Sequence, residues 1–439
     1  MNKSSTLSAL FTGTILLTAA GVLSRVIGFF YRIFLSRIIG AEGLGIYQLV
    51  FPVMAICFSL TSAGIQTSIS RFVSKEFGEG HPETARLYLS IGLFLSVSLS
   101  AVTGLLLWNY AGVIAASFLG EPRCAPLLKI LSFCYIPCSI HSCINGYYYG
   151  LKKALVPSLS QLAEQLVRVG SVYLIYCIAQ SRGMEISVSM AVWGLVLGEL
   201  AGMLVSLSVI GFSSCKGNIQ KCTASLICMA APLTVNRLIL NFFASVENLL
   251  IPGRLKIFGY STSEALSIYG ILTGMALAII MFPTVLTNSV SVLLLPTISE
   301  AQAKNNNSLI KKAILKTCEC CLFLGSVCTV VLLLTGNFIG NYIFANALAG
   351  TFIVTLSWIC PFFYLSSTLN SIFHGLGKPV ITLFLNLTAC IIRILFIWFR
   401  IPLIGIKGYL SGLLISQIFS CIAALFLLYR IMKKSPHTS

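Results

Sequence analysis

The sequence predicts an all-α polytopic membrane protein of about twelve transmembrane helices, in two six-helix pseudo-symmetric lobes around a central cavity. Three observations predict it. The chain is 57% hydrophobic and only 9% charged, with a mean hydropathy of +0.94, whereas soluble domains carry about 25% charged residues. It reads as a series of apolar runs of about 20 residues or more, the length that crosses a bilayer as a helix. Its second half also repeats features of its first at near-constant spacing.

The runs are roughly 8–35, 45–72, 85–108, 124–149, 155–179, 186–212, 224–251, 264–298, 310–335, 346–374, 379–400 and 404–431. The longer ones imply tilt or extension beyond the hydrocarbon. The N-terminus has only Lys3 as a charged flank and no small-residue cleavage site, so a retained first span is expected rather than a signal peptide. Lys and Arg are biased to one side. Sixteen lie at the N-terminus and in the even-numbered connections, and seven on the opposite side. The positive-inside rule then puts both termini in the cytoplasm, in a multi-pass protein of the plasma membrane.

The repeat is specific. Asn145, Gly150, Lys153, Gln161 and Arg168 recur in the same order, at one constant offset, as Asn370, Gly375, Lys378, Asn386 and Arg393. Ile46-Tyr47 recurs as Ile268-Tyr269, and Arg25 matches Arg237, each followed by a Phe-Phe pair. The expected organisation is an N-lobe at 1–212, a basic cytoplasmic linker at 213–223 and a C-lobe at 224–439. Six spans per half is an even number, so both halves enter from one side, as parallel repeats about an axis along the membrane normal.

The polar residues inside the spans are the candidates for chemistry. In the first span Thr14, Thr18, Gly21, Arg25, Gly28, Arg32 and Ser36 form one helical stripe. An arginine at the bilayer centre costs about 2.5–3.5 kcal/mol. The stripe therefore faces other helices or a water-filled cavity, or else the arginines snorkel to the headgroups, an option that suits Arg32 near the helix end. The seventh span repeats this logic with Thr234, Arg237, Asn241, Ser245 and Asn248, and has Pro232 near its start. The fifth carries Ser158, Gln161, Gln165 and Arg168, with Glu164 four residues before Arg168, a spacing that allows an ion pair. The eleventh carries Thr382, Asn386 and Arg393 without a local glutamate. The second offers Ser59, Ser62, Gln66 and Ser70, and the eighth Thr284, Thr287, Asn288 and Ser291. Interhelical hydrogen bonding is the commoner role for such Ser, Thr and Asn side chains.

All twelve acidic residues are glutamate. Glu164, Glu199 and Glu247 lie within spans, and each could pair with an arginine, bind a coupling cation (H+ or Na+) or relay a proton. Cys318, Cys320 and Cys321 lack a histidine or second pair at zinc spacing, so no metal site is expected. No nucleophile elbow, phosphate-binding loop, paired carboxylates or metalloprotease helix is present. The reading is therefore a non-enzyme with no cofactor and no nucleic-acid partner. Embedded arginine outweighs embedded glutamate. A cavity lined by guanidinium groups suits an anion, above all a diphosphate, and repels cationic drugs.

The arginine-bearing opening span, GAEGLGIYQLVFPV at 40–53 and NGYYYGLKKALVPSLSQLAEQLVRV at 145–169 resemble the multidrug/oligosaccharidyl-lipid/polysaccharide (MOP) flippase superfamily. Within it the sequence resembles the branch of spore-formation and lipid II flippases. The resemblance implies two lobes around a V-shaped cavity that opens alternately to each membrane face. It also implies that Arg25 and Arg32 contact the diphosphate of a lipid-linked sugar. Lipid II flippases typically have fourteen spans, whereas twelve are read here. The superfamily's drug exporters often carry an acidic residue in the first span, where this chain has arginine. The expected function is translocation of an undecaprenyl-diphosphate-linked glycan, a peptidoglycan precursor such as one for spore cortex, with membrane lipids and a coupling cation as the other partners. A cation-coupled multidrug exporter and a membrane-embedded glycan polymerase are the alternatives. Arg25, Arg32, Arg237, Asn241 and Asn248 are expected to bind the head group. Arg168, Glu164 and Arg393 are expected to gate the cavity or hold the lobes.

Overall fold

The computed structural model describes residues 3–211, 216–284, 307–376 and 378–434, with side chains in the first helix from Leu17 onward. Among them every regular element is a helix. Apolar runs dictate this, because in hydrocarbon a span must satisfy its backbone polar groups internally. The helices are α1 (Lys3–Ile38), α2 (Gly40–Phe58), α3 (Gly64–Gly78), α4 (Pro82–Val113), α5 (Ala125–Ser132), α6 (Tyr135–Gly150), α7 (Leu155–Ser181), α8 (Ser189–Val209), α9 (Ile219–Phe258), α10 (Thr262–Gly270) and α11 (Leu277–Met281). After them come α12 (Asn307–Phe338), α13 (Ala347–Leu356), α14 (Cys360–Gly375), α15 (Pro379–Phe399), α16 (Ile401–Ile404) and α17 (Ile406–Lys434).

Among the described residues eleven helical stretches are long and apolar enough to cross a membrane. The count is twelve if α5 and α6 form one span bent by 50°. The bend has a local cause. Pro137 has no N–H to donate to the carbonyl of Phe133, and the break falls at Phe133 and Cys134. The eighth run is described as far as Thr284, and Thr287, Asn288 and Ser291 lie outside the described residues.

The chain forms two compact units. One comprises Met1–Tyr31 and Ile46–Ser245, the other Arg32–Gly45 and Val246–Ser439. These divisions fall within α1, α2 and α9. Helices α1 and α9 have 36 and 40 residues, roughly 54 and 60 Å at 1.5 Å per residue. Both exceed the ~30 Å hydrocarbon core, so one helix has length enough to serve both units.

In the first unit α3, α4, α6 and the start of α9 enclose a core of Ile65, Ile69, Val73, Tyr88, Ile144 and Leu226. In the second, α12, α14, α15 and α17 enclose Leu365, Leu369, Ile372, Phe373, Leu385 and Leu428. The start of α2 joins this second unit through a close crossing with α10. A side chain on Gly45 would overlap the Leu266 carbonyl oxygen, so only glycine fits there.

The internal repeat is present in the backbone. Helix α4 ends in a π-helical turn at Ile114–Phe118, and α12 ends in one at the matching place in the second half, Ile339–Ile343. Leu119 N–H donates to Ile114 O at 2.9 Å, and Phe344 N–H to Ile339 O at 3.2 Å. Gly120 (φ 65°) and Ala345 (φ 53°) then take the left-handed conformation. Glu121 and Asn346 follow in extended conformation, and each caps the next helical segment with its side chain. Helices α6 and α14 end alike, with Lys153 N–H donating to Tyr148 O and Lys378 N–H to Phe373 O, both at 2.9 Å.

Candidate functional site

The first helix buries Ala20, Ser24, Tyr31 and Leu35, while Arg25 and Arg32 flank that face and are exposed. A side chain on Gly28 would lie 3.2 Å from the Gln165 side-chain nitrogen. The polar stripe of α1 therefore abuts the polar stripe of α7. Ser24 Oγ is buried there without a hydrogen-bond partner.

Asn241 and Asn248 are half-buried and engaged by other helices. Asn241 donates to Ser59 Oγ at 2.5 Å and Ala55 O at 3.4 Å. It thereby contacts the π-helical turn Ser59–Ala63 between α2 and α3. Ser96 Oγ donates to a carbonyl of the same turn, Thr61 O, at 2.6 Å. Ser245 Oγ donates to Pro52 O at 3.3 Å and to Asn241 O at 2.6 Å. Asn248 Oδ1 accepts from the Tyr269 hydroxyl at 3.3 Å.

Helices α6, α7 and α8 build a partly buried ion cluster in the first unit. Glu164 forms the ion pair with Arg168 that its spacing allows. Arg168 also donates to Gln165 Oε1 at 3.4 Å, while its Nε is buried without a partner. His141 Nδ1 lies 3.3 Å from Glu199 Oε2. Ligand atoms of His141, Glu164 and Glu199 all lie within 4.8 Å of one another. The glycines of α8 make this possible. A side chain on Gly194 would overlap Val172, and one on Gly198 would meet the Glu164 carbonyl oxygen at 2.8 Å. Small residues four apart let the two backbones close up, and Glu199 is carried in beside Glu164. Chemically, two carboxylates and an imidazole can exchange a proton or hold a small cation. The Arg168 charge on Glu164 weakens the cluster as a divalent-metal site and suits it to a proton. The sequence alone assigns His141 no functional role, and no local spacing signals its place here.

The second unit pairs its matching arginine differently. Arg393 Nε donates to Glu247 Oε1 at 2.6 Å, from a different helix. The Tyr409 hydroxyl donates to the same oxygen at 2.9 Å, and Cys390 Sγ lies 3.4 Å from Oε2. The eleventh span lacks a local glutamate, and α9 supplies one. Of the roles read for Glu247, the structure shows pairing with an arginine.

Arg237 is exposed on α9 and lines a cavity of about 760 Å³ in the first unit. Lys129 lies 5.8 Å over the Trp108 ring. The embedded cations thus divide. Arg168 and Arg393 are ion-paired with glutamates that are at most 17% exposed, and Arg25, Arg32 and Arg237 are exposed residues.

The family description "polysaccharide biosynthesis protein" matches residues 10–302. The chain belongs to the polysaccharide biosynthesis protein family. Family relatives include stage V sporulation protein B of Bacillus subtilis (strain 168), 27% identical, with 90% of this chain and 79% of the relative covered. Lipid II flippase MurJ of the same organism is 23% identical, covering 93% of this chain and 81% of the relative. A solved inward-facing multidrug resistance MATE family transporter of the MOP superfamily shares the fold. Its TM-score is 0.78 at 14% identity, covering 97% of this chain and 99% of that one. The family and these likenesses place the chain in the MOP superfamily, as the sequence motifs implied.

Proposed function

We propose that this protein is a flippase that moves a lipid-linked glycan from the inner to the outer leaflet of the cytoplasmic membrane by alternating access. The observation that carries the reading is the division of the embedded arginines. Two are paired with glutamates on the same or a neighbouring helix, and three are exposed side chains on polar stripes of α1 and α9. Exposed guanidinium groups at membrane depth recognise phosphate, which they bind in a bidentate fork. The family and the relatives' names support a lipid-linked substrate. The finer reading is an undecaprenyl-diphosphate-linked peptidoglycan precursor, with the spore cortex as its destination. Lobes at 1–212 and 224–439 joined by a 213–223 linker, and two cytoplasmic termini, belong to the same proposal.

The His141, Glu164 and Glu199 cluster favours a second feature, coupling to H+ or Na+. A cation-coupled drug exporter would share it, but the exposed arginines oppose a cationic substrate. Proteoliposomes decide between the readings. Fluorescent lipid-linked glycan loaded in one leaflet is expected to reach the other unchanged. Export of cationic dye without lipid movement would establish the exporter instead, and chemical turnover of the glycan would establish an enzyme. Complementation of a strain depleted of its lipid II flippase tests the substrate.

A further inference from the structure

Arg237 shares its cavity with three more cations, Arg71 and Lys75 of α3 and Lys152 just after α6. Among the described residues no carboxylate lines this cavity. Lys75 has Glu79 at 4.0 Å, an exposed pair one helical turn away, and such pairs are weak. Four like charges around one hollow repel one another unless an anion joins them. The volume lies within the range of small-molecule sites. A topological signal accounts for the sign of Arg71, Lys75 and Lys152. It does not account for their convergence on Arg237, which comes from the middle of α9.

The convergence is built by packing. Side chains on Gly146 and Gly150 would lie 2.6 Å from the carbonyl oxygens of Gln66 and Ser70. Only glycine there lets the end of α6 lie against α3, which brings Lys152 beside the Arg71 helix. Lys152 itself is held at φ 60°. Left-handed backbone after a helix favours glycine or asparagine. The second half of the chain has Gly377 at the repeat-equivalent position. The first half keeps a strained lysine where the second keeps glycine, and an observed strain of this kind points to function.

We propose that this cavity is a binding site for the diphosphate head of a prenyl-linked substrate. Arg71 and Arg237 supply planar forks, and Lys75 and Lys152 supply point charges. The identity of the substrate rests on the transport reading above, whereas the phosphate chemistry rests on the cavity alone.

The test uses the purified full chain in phosphatidylcholine nanodiscs, titrated with farnesyl diphosphate. Lys152→Gly is the decisive variant, because glycine relieves the backbone and keeps the fold. It is expected to melt no lower than wild type yet to bind the probe about tenfold more weakly, as is Arg71→Gln. Lys407→Gln, which changes a cation outside the cavity, should leave binding unchanged. Inorganic pyrophosphate should displace the probe. Unchanged affinity in Lys152→Gly overturns the proposal. So does failure of pyrophosphate to compete, which would assign binding to the prenyl chain. Loss of probe binding when phosphatidylglycerol is added to the nanodisc also overturns it, in favour of a general anionic-lipid contact. Diphosphate binding with the expected variant losses, but no lipid movement in proteoliposomes, would sustain the site and sink the transport reading. Lipid movement with unchanged binding in Lys152→Gly would do the reverse.

Discussion

Ala345 occupies the left-handed backbone position that Gly120 occupies in the first half of the chain, at φ 53° and 65° respectively. Each residue follows a π-helical turn and precedes a side-chain cap. The two halves of the chain thus share a strained corner but fill it with different residues.

The corner gives a stability prediction. A left-handed non-glycine residue costs about 1–2 kcal/mol, and the added freedom of glycine in the unfolded chain offsets about 0.4–1 kcal/mol. Ala345→Gly is therefore expected to stabilise the protein by about 0.5–1 kcal/mol. Gly120→Ala should destabilise it by a similar amount, through backbone strain alone, since a side chain there meets nothing within 4 Å. Melting temperatures of the detergent-purified protein check both signs.

The buried pair of the second unit should be structural. Glu247 and Arg393 expose only 8% and 18% of their side chains. Removing one partner leaves a buried charge without its counterion, at a cost of about 3–5 kcal/mol. Glu247→Ala and Arg393→Ala are each expected to lower thermal stability strongly, and the double variant to lose less than their sum. Additive losses in a double-mutant cycle would show that the pair contributes nothing jointly.

The cluster of the first unit should carry ion dependence instead. Histidine is the side chain whose ordinary pKa, about 6.5, lies in the physiological range. His141→Gln and Glu199→Gln are expected to alter or abolish the dependence of transport on a proton or sodium gradient. Glu247→Gln should leave that dependence intact in whatever protein folds. Equal ionophore sensitivity in wild type, His141→Gln and Glu199→Gln would remove the cluster from coupling.

What the sequence made legible follows from distance along the chain. The spans are legible because each is a local run of apolar residues, and the Glu164 and Arg168 pair because its partners are one helical turn apart. The repeat showed in Asn145, Gly150 and Arg168 and their counterparts, and its backbone form then appeared around Gly120 and Ala345. Glu247 and Arg393 sit on helices well separated in the chain, and no local pattern joins them. His141 meets Glu199 across α6 and α8, and Glu199 comes beside Glu164 because Gly194 and Gly198 let α8 close on α7. Lys152 read as an orientation charge, since its left-handed backbone and its place beside Arg71 and Arg237 are tertiary facts.

The exposed arginines give the last prediction. Arg25 and Arg32 flank the buried face of α1, and Arg237 lines its cavity on α9. Each is expected to hold substrate phosphate through a charge-assisted bond. Losing such a bond costs about 1.5–3 kcal/mol, or roughly tenfold to over a hundredfold in binding. Alanine at each position should reduce transport of lipid-linked glycan by that order, with expression and melting temperature near wild type, because these side chains are exposed. Lysine keeps the charge but loses the planar fork, so Arg25→Lys and Arg237→Lys should recover only part of the rate. Arg168→Ala and Arg393→Ala should instead lose folded protein, since Glu164 and Glu247 would keep their charge inside the protein without the guanidinium that balances it. The contrast is the test. If Arg25→Ala expresses normally and transports at the wild-type rate, the first helix plays no part in recognition, and the anion must be held elsewhere.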